Sequence, residues 1–227
     1  AVGNVWGRLP GLNADAKTLI VGSHLDTIVD AGKYDGILGV LMAVELLCLL
    51  RSQGIVLPCN LDVVGFCDEE GVRFGATLLG SHAIANRWKD DWLNLTDVDG
   101  VSIAEAMASF GLDSTKVSDA AIPPENLVGY LEVHIEQGPV LDHANLPVGV
   151  VTAIAGARRF NFVIEGESGH AGTVPMGMRK DALVGAGLCI QEVEKAASLY
   201  DVVATVGDIN CYPGAVNVIP GLSLIHI

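Results

Sequence analysis

Asn60-Leu61-Asp62-Val63-Val64-Gly65-Phe66-Cys67-Asp68-Glu69-Glu70-Gly71 is the stretch on which the reading of this chain turns. Its first seven residues are almost continuously apolar, the pattern of a strand buried on both faces of a sheet. Three carboxylates follow at once. Adjacent like charges after a buried strand repel each other, and a divalent cation relieves that repulsion. One carboxylate can then serve as ligand while the other moves a proton near neutral pH. The bland alternative is a solvated loop at the sheet edge.

Two further apolar runs end in the same way. Thr18 to Ser23 leads into His24, with Asp26 two residues on, and Leu127 to Ile135 passes through Glu132 and His134 and is followed by Glu136. Open α/β sheets place ligand sites at the carboxyl ends of their strands. His24 is therefore a candidate ligand, and Asp26 a candidate for orienting its imidazole; the plain reading is a loop histidine. Alternation along a strand would put Glu132, His134 and Glu136 on one face, where a polar row needs a partner. Asp35, in Gly32-Lys33-Tyr34-Asp35-Gly36, stands before a helix and reads either as an N-cap or as a carboxylate bridging two ions. His170 lies in Ser168-Gly169-His170-Ala171-Gly172, where glycines admit a close ligand, or simply make a turn.

These segments imply an α/β fold. A helix runs from Asp35-Gly36 to about Ser52 and is stopped by Gly54; Arg73 to Ala85 reads as a second helix. Ser102 with Glu105 makes a capping-box pattern. Strands alternating with helices predict a mostly parallel sheet. After Gly138-Pro139 the texture changes. Val148–Ala155 and Arg159–Glu165 read as strands. Arg179–Leu199 reads as an amphipathic helix with Leu183, Leu188, Ile190 and Val193 turned inward, and Val202–Ile209 as a last strand. The expected domains are 1–150, α/β, and 151–227, a small α+β unit in β-β-α-β order.

Composition narrows the function classes. With 27 acidic against 13 basic residues the net charge is −14, which repels phosphate backbones and argues against a nucleic-acid partner. The five cysteines are odd in number and show no CxxC spacing, which argues against a disulfide framework or a cysteine zinc cluster and fits a reducing cytoplasm. The longest apolar run, Ile37 to Leu50, is too short to span a bilayer, so no membrane association is expected. No basic leader precedes it, although the chain also lacks an initiator Met.

Taken in order, Gly22-Ser23-His24-Leu25-Asp26-Thr27, Gly32-Lys33-Tyr34-Asp35-Gly36, Asp68-Glu69-Glu70-Gly71-Val72-Arg73-Phe74, His134-Ile135-Glu136-Gln137-Gly138-Pro139, Gly169-His170-Ala171-Gly172-Thr173-Val174-Pro175-Met176 and Asn217-Val218-Ile219-Pro220-Gly221 resemble the motifs of one family. The chain resembles the hydantoinase/carbamoylase amidases of the M20 metallopeptidase superfamily. The resemblance implies a metal-binding catalytic domain with an inserted ferredoxin-like dimerisation domain, both incomplete here. It implies two divalent ions, zinc or manganese, with cobalt or nickel as other options. By that analogy His24 and His134 hold one ion, Asp35 bridges, Glu70 holds the second and Glu69 is the general base for a metal-activated water. Asp26 supports catalysis, His170 stabilises the oxyanion, Arg158 binds a substrate carboxylate, and Gln137 and Asn217 hold the ureido group. The implied reaction is hydrolysis of a C–N bond in N-carbamoyl-L-amino acids or allantoate-like ureides, by a homodimer.

Family members are nearly twice as long and continue into a strand ending in Asp-x-Arg and a final histidine ligand. The tail Gly221-Leu222-Ser223-Leu224-Ile225-His226-Ile227 does not match that strand, and His226 is not assigned as the ligand. Two other readings stand beside the main one. A dipeptidase or aminoacylase of the same superfamily would keep the metal and change the substrate. A dimerising fragment without activity of its own is the third.

Overall fold

The computed structural model describes residues 2–227. They divide between Gly149 and Val150 into two compact units.

The first unit is built on a four-stranded sheet. Its strands are β1 (Val5–Leu9), β2 (Thr18–His24), β3 (Asn60–Phe66) and β4 (Leu127–Leu131), in the order β1-β3-β2-β4. β2 runs parallel to both β3 and β4, whereas β1 is antiparallel to β3. All seven residues of β3 are buried, as a parallel strand with both faces covered requires. On one face α1 (Ile37–Ser52) closes over Val21, Leu61 and Val63 with Ala43. On the other, Ile20, Val64 and Phe66 pack with Ile84 of α2 (Leu79–Ile84). Two further short helices are α3 (Ile103–Ser109), whose Ser102/Glu105 capping box forms both of its bonds, and α4 (Val140–His143).

β1 was not legible in the sequence, and it explains an oddity of β3. Asp62 sits 4% exposed in the middle of that strand. Arg8 of β1 donates to it from Nε at 2.6 Å and from Nη2 at 2.8 Å, a bidentate pair that satisfies the buried charge.

Two expectations for this unit are corrected. The helix expected over Arg73–Ala85 exists only as α2. Gly71 and Gly75 adopt φ of +69° and +71°, outside the helical region, and the Leu78 and Leu79 amides donate back to the carbonyls of Glu69 and Asp68. The third strand stops at Leu131, so strand alternation does not set the directions of Glu132, His134 and Glu136. Glu132 accepts from Ser23 and Tyr130, His134 faces His24, and Glu136 accepts from the Leu141 amide.

The second unit is α+β. Its main sheet is antiparallel, in the order β5 (Asn161–Glu165), β9 (Leu222–His226), β7 (Asp208–Tyr212). A two-residue ladder joins β6 (Gly169–His170) to β8 (Val218–Ile219). α5 (Ala182–Tyr200) packs on β5 and β9, capped by Asp181, which accepts from the Leu183 and Val184 amides. The element order differs from the β-β-α-β expected. Val148–Ala155 forms no strand, and Val150, Val151 and Ile154 are exposed. The strand expected over Val202–Ile209 is displaced to Asp208–Tyr212. The buried stripe of α5 begins with Ala182 and Ala186, while Leu183 and Leu188 lie outside it. The tail supplies the middle strand: Leu222, Ser223, Leu224 and Ile225 insert between β5 and β7, with Ile225 2% exposed.

Candidate metal centre

β2 and β3 end side by side, with His24 opposite Phe66. The Asp68-Glu69-Glu70 loop therefore leaves the sheet next to His24. The segment after β4 brings His134 to the same point. The two Nε2 atoms are 3.1 Å apart, and Asp35 Oδ1 lies 3.2 Å from His134 Nε2 and 3.7 Å from His24 Nε2.

The opposite ring nitrogens fix the tautomers. His24 Nδ1 is 2.7 Å from the Asp26 carbonyl and His134 Nδ1 is 2.8 Å from the Ile135 carbonyl. A carbonyl oxygen only accepts, so both Nδ1 atoms carry a proton, and in its neutral form each ring turns an Nε2 lone pair inward. Two lone pairs and a carboxylate oxygen thus converge with no proton among them. That arrangement is repulsive unless a cation sits between, and an N, N, O donor set suits zinc and its first-row neighbours. The residues present fit the metal that the sequence motifs imply.

Asp35 is not an N-cap. The cap position of α1 is Gly36, with no side-chain hydrogen bond. The Asp35 carboxylate is buried and instead accepts from Gln137 Nε2 at 3.1 and 2.9 Å. That contact of Gln137 was not foreseen; its φ of +57°, rare for a non-glycine residue, turns it back toward the centre.

Glu69 and Glu70 also come close to His24. One ligand atom from each of His24, Glu69 and Glu70 falls within 4.8 Å of the others, as do those of His24, Asp35 and His134, so His24 is common to both groups. Asp26 braces this arrangement differently from the expectation. Its carbonyl, not its carboxylate, holds the His24 ring, and the carboxylate accepts from the Glu69 and Glu70 amides at 3.0 Å each. Burial raises the Glu69 carboxyl above its ordinary value; His24 opposes the shift, while Glu70, Asp26 and Glu132 add to it. The neighbouring Cys67 thiol is pushed up to about 12, mainly by burial, and bonds to the Val2 carbonyl, which keeps it out of thiolate chemistry.

Two glycines make the convergence sterically feasible. A Cβ on Gly36, whose φ is +66°, would meet the His24 ring at 2.4 Å. One on Gly39 would meet the Val133 carbonyl oxygen at 2.0 Å and Ser23 Cβ at 2.7 Å. The first turns of α1 can thus lie directly against both histidine-bearing segments.

The remaining candidates belong to the second unit. His170 is joined to Val218 through the β6–β8 ladder, and the Ala171 amide donates to the Asn217 carbonyl, so His170 and Asn217 are neighbours. His170 Nδ1 accepts from the Gly172 amide at 3.0 Å, which leaves Nε2 as the protonated, donating nitrogen of the neutral ring. Arg158 lies exposed in the irregular segment ahead of β5. Arg179, not singled out from the sequence, ties down the loop after His170 by donating to the Val174 and Ala171 carbonyls.

A mostly parallel sheet with histidines and carboxylates gathered at its carboxyl edge, followed by an α+β unit, is the pattern of a family of hydrolases. The chain belongs to the peptidase family M20/M25/M40, whose model matches residues 20–218. It is 44% identical over 221 residues to an N-carbamoyl-L-amino acid amidohydrolase of Geobacillus stearothermophilus, covering 97% of this chain and 54% of that protein. It is 41% identical over 244 residues to an allantoate deiminase of Arabidopsis thaliana, covering 97% of this chain and 46% of that one. Among solved structures, it resembles a hydantoinase/carbamoylase-family amidase from Burkholderia multivorans with a TM-score of 0.83 at 34% identity, covering 99% of this chain and 55% of that one. The chain thus spans about half the length of these relatives.

Proposed function

We propose that this chain carries part of the active centre of a metal-dependent amidohydrolase acting on a linear ureido or carbamoyl C–N bond, of the kind found in N-carbamoyl-L-amino acids and allantoate. The observation that carries the reading is the facing pair of Nε2 lone pairs with Asp35, set beside the half-buried Glu69. His24, His134 and Asp35 would hold one divalent ion, and Glu70, grouped with His24 and Glu69, would hold a second. When bound, such an ion supplies Lewis acidity, polarising the scissile carbonyl and easing ionisation of a water. Zinc and manganese both suit these donors.

The chain's own groups divide the remaining work. Glu69 accepts a proton from the attacking water at its carboxylate and returns it to the leaving nitrogen, a transfer that its raised pKa favours. Asp26 holds His24 and the Glu69-Glu70 backbone in one piece, so ligand and base keep their spacing. Gln137 keeps Asp35 turned inward. On the second unit, the Nε2–H of His170 can donate to a developing oxyanion, Arg158 can pair with a substrate carboxylate through two parallel bonds, and the Asn217 carboxamide can bond a ureido group. A homodimer joined through this unit fits its uncovered apolar residues Leu183, Val184 and Leu188 on α5. Five free thiols fit a cytoplasmic location. Among the described residues no helix is long and apolar enough to cross a membrane.

The test is made in the longer protein that carries this sequence. Glu69→Gln is expected to lower kcat for ureide or carbamoyl hydrolysis by about a hundredfold or more, with little change in metal content. Retained ammonia release from allantoate and N-carbamoyl amino acids by that variant, or dipeptide cleavage in their place, would sink the reading.

A further inference from the structure

We infer that Glu132 is a positioning residue that sets the separation of the two histidines, an inference that rests on the metal reading above. The backbone ladder between β2 and β4 makes its last pairing at Val21 and Leu131. His24 and His134 each lie three residues beyond that point along their own segments, where no ladder joins them. Side chains take over. Ser23 Oγ donates to Glu132 Oε1 at 2.5 Å, and the Tyr130 hydroxyl lies 2.8 Å from Oε2 and 3.1 Å from the Gly22 carbonyl. Both oxygens of one carboxylate are thus engaged by hydroxyls, one rooted in each strand.

Ser23 is 0% exposed and immediately precedes His24; Glu132 is two residues before His134. The bond therefore ties the chain at the roots of both ligands. A third element closes the arrangement, because Gly39 of α1 lies against Ser23 and the Val133 carbonyl. With Glu132 removed, the segment carrying His134 loses its tie to β2 and keeps only the packing of Val133 on Gly39 and the Gln137–Asp35 bonds, and the two Nε2 atoms lose their fixed spacing. Outer residues that orient metal ligands typically govern affinity by about 10–100-fold.

The experiment uses the 227-residue chain, freed of metal, with zinc affinity read by competition against a chromophoric chelator. Glu132→Ala is expected to weaken zinc binding by about 10–100-fold, and Ser23→Ala to weaken it less. The double variant should be no weaker than Glu132→Ala alone, because the two residues share one bond. Circular dichroism monitors folding; should Glu132→Ala unfold, Ser23→Ala decides. Affinities within about twofold of wild type in folded single variants would overturn the inference. Nitrogen NMR of the metal-free chain separates this from the metal reading itself. Both histidines should be Nδ1–H tautomers in the wild type, and in Glu132→Ala their Nε2 resonances should shift as the 3.1 Å spacing between them relaxes. Unchanged Nε2 resonances in that variant would overturn the positioning role, whereas a wild type that binds no zinc overturns the metal assignment.

Discussion

Asp26 does more than its short side chain suggests. One residue holds the His24 ring through its carbonyl and two consecutive loop amides through its carboxylate. Asp26→Ala strands those amides and is expected to cost about 1–3 kcal/mol of stability, measurable by urea titration of the metal-free protein. Gly36→Ala should be more selective. A side chain at φ +66° is strained, and its Cβ falls onto the His24 ring. Zinc binding should fall at least tenfold while the remainder of the sheet stays folded, a pairing that calorimetry and circular dichroism would read together. The identities of the residues at this centre were legible because histidine and paired carboxylates at strand ends have few structural uses. Their roles were less so. Whether Asp26 orients through carbonyl or carboxylate, and whether Gln137 turns back toward Asp35, depends on local backbone angles that residue identity does not specify.

At the level of elements, the buried strands β2 and β3 and the helix between them were legible, because their apolar runs are long and bounded by clear turn residues. β1 was missed: Val5-Trp6-Gly7-Arg8-Leu9 alternates too weakly to stand out, and its position is decided by a distant partner, Asp62. β4 was overextended by the Val133 and Ile135 side chains, which prolong the apolar pattern past the end of the ladder at Leu131. The α3 capping box was legible because it is wholly local, and it carries a pH signature. Bonding to the Ser102 side chain and then its backbone lowers the Glu105 pKa below its ordinary value. Its contribution is therefore complete above the unfolded value and fades as pH falls through the folded one. Ser102→Ala should lower the melting temperature at neutral pH, and the gap from wild type should narrow under acid; the Glu105 amide bond to Ser102 Oγ is independent of pH and leaves a remainder.

For the whole molecule, the burial pattern speaks to behaviour in solution. α1 leaves Leu41, Met42, Val44 and Leu49 exposed, and β4 leaves Val128 and Leu131 exposed on a strand that borders the sheet. Exposed apolar side chains in such number favour association and the binding of hydrophobic dyes. Prepared as these 227 residues, the protein should bind such a dye more strongly per mole than its longer relatives, and sedimentation velocity should show self-association that rises with concentration. Its net charge of −14 works against aggregation, so raising the ionic strength, which screens that repulsion, should shift the distribution toward larger species.

The place of β9 carries a consequence for how the second unit is made. β5 and β7 do not pair with each other; each pairs only with β9, which comes later in the chain than either. During synthesis both strands must wait, unladdered, until Leu222–His226 has left the ribosome. Residue 161 then meets residue 226 across the whole length of α5. Closure over that separation is a late and slow event, whereas α5 can form early from local bonds alone. A nascent chain arrested before residue 222 should therefore present a helix without its sheet, a window in which chaperones have the most to hold.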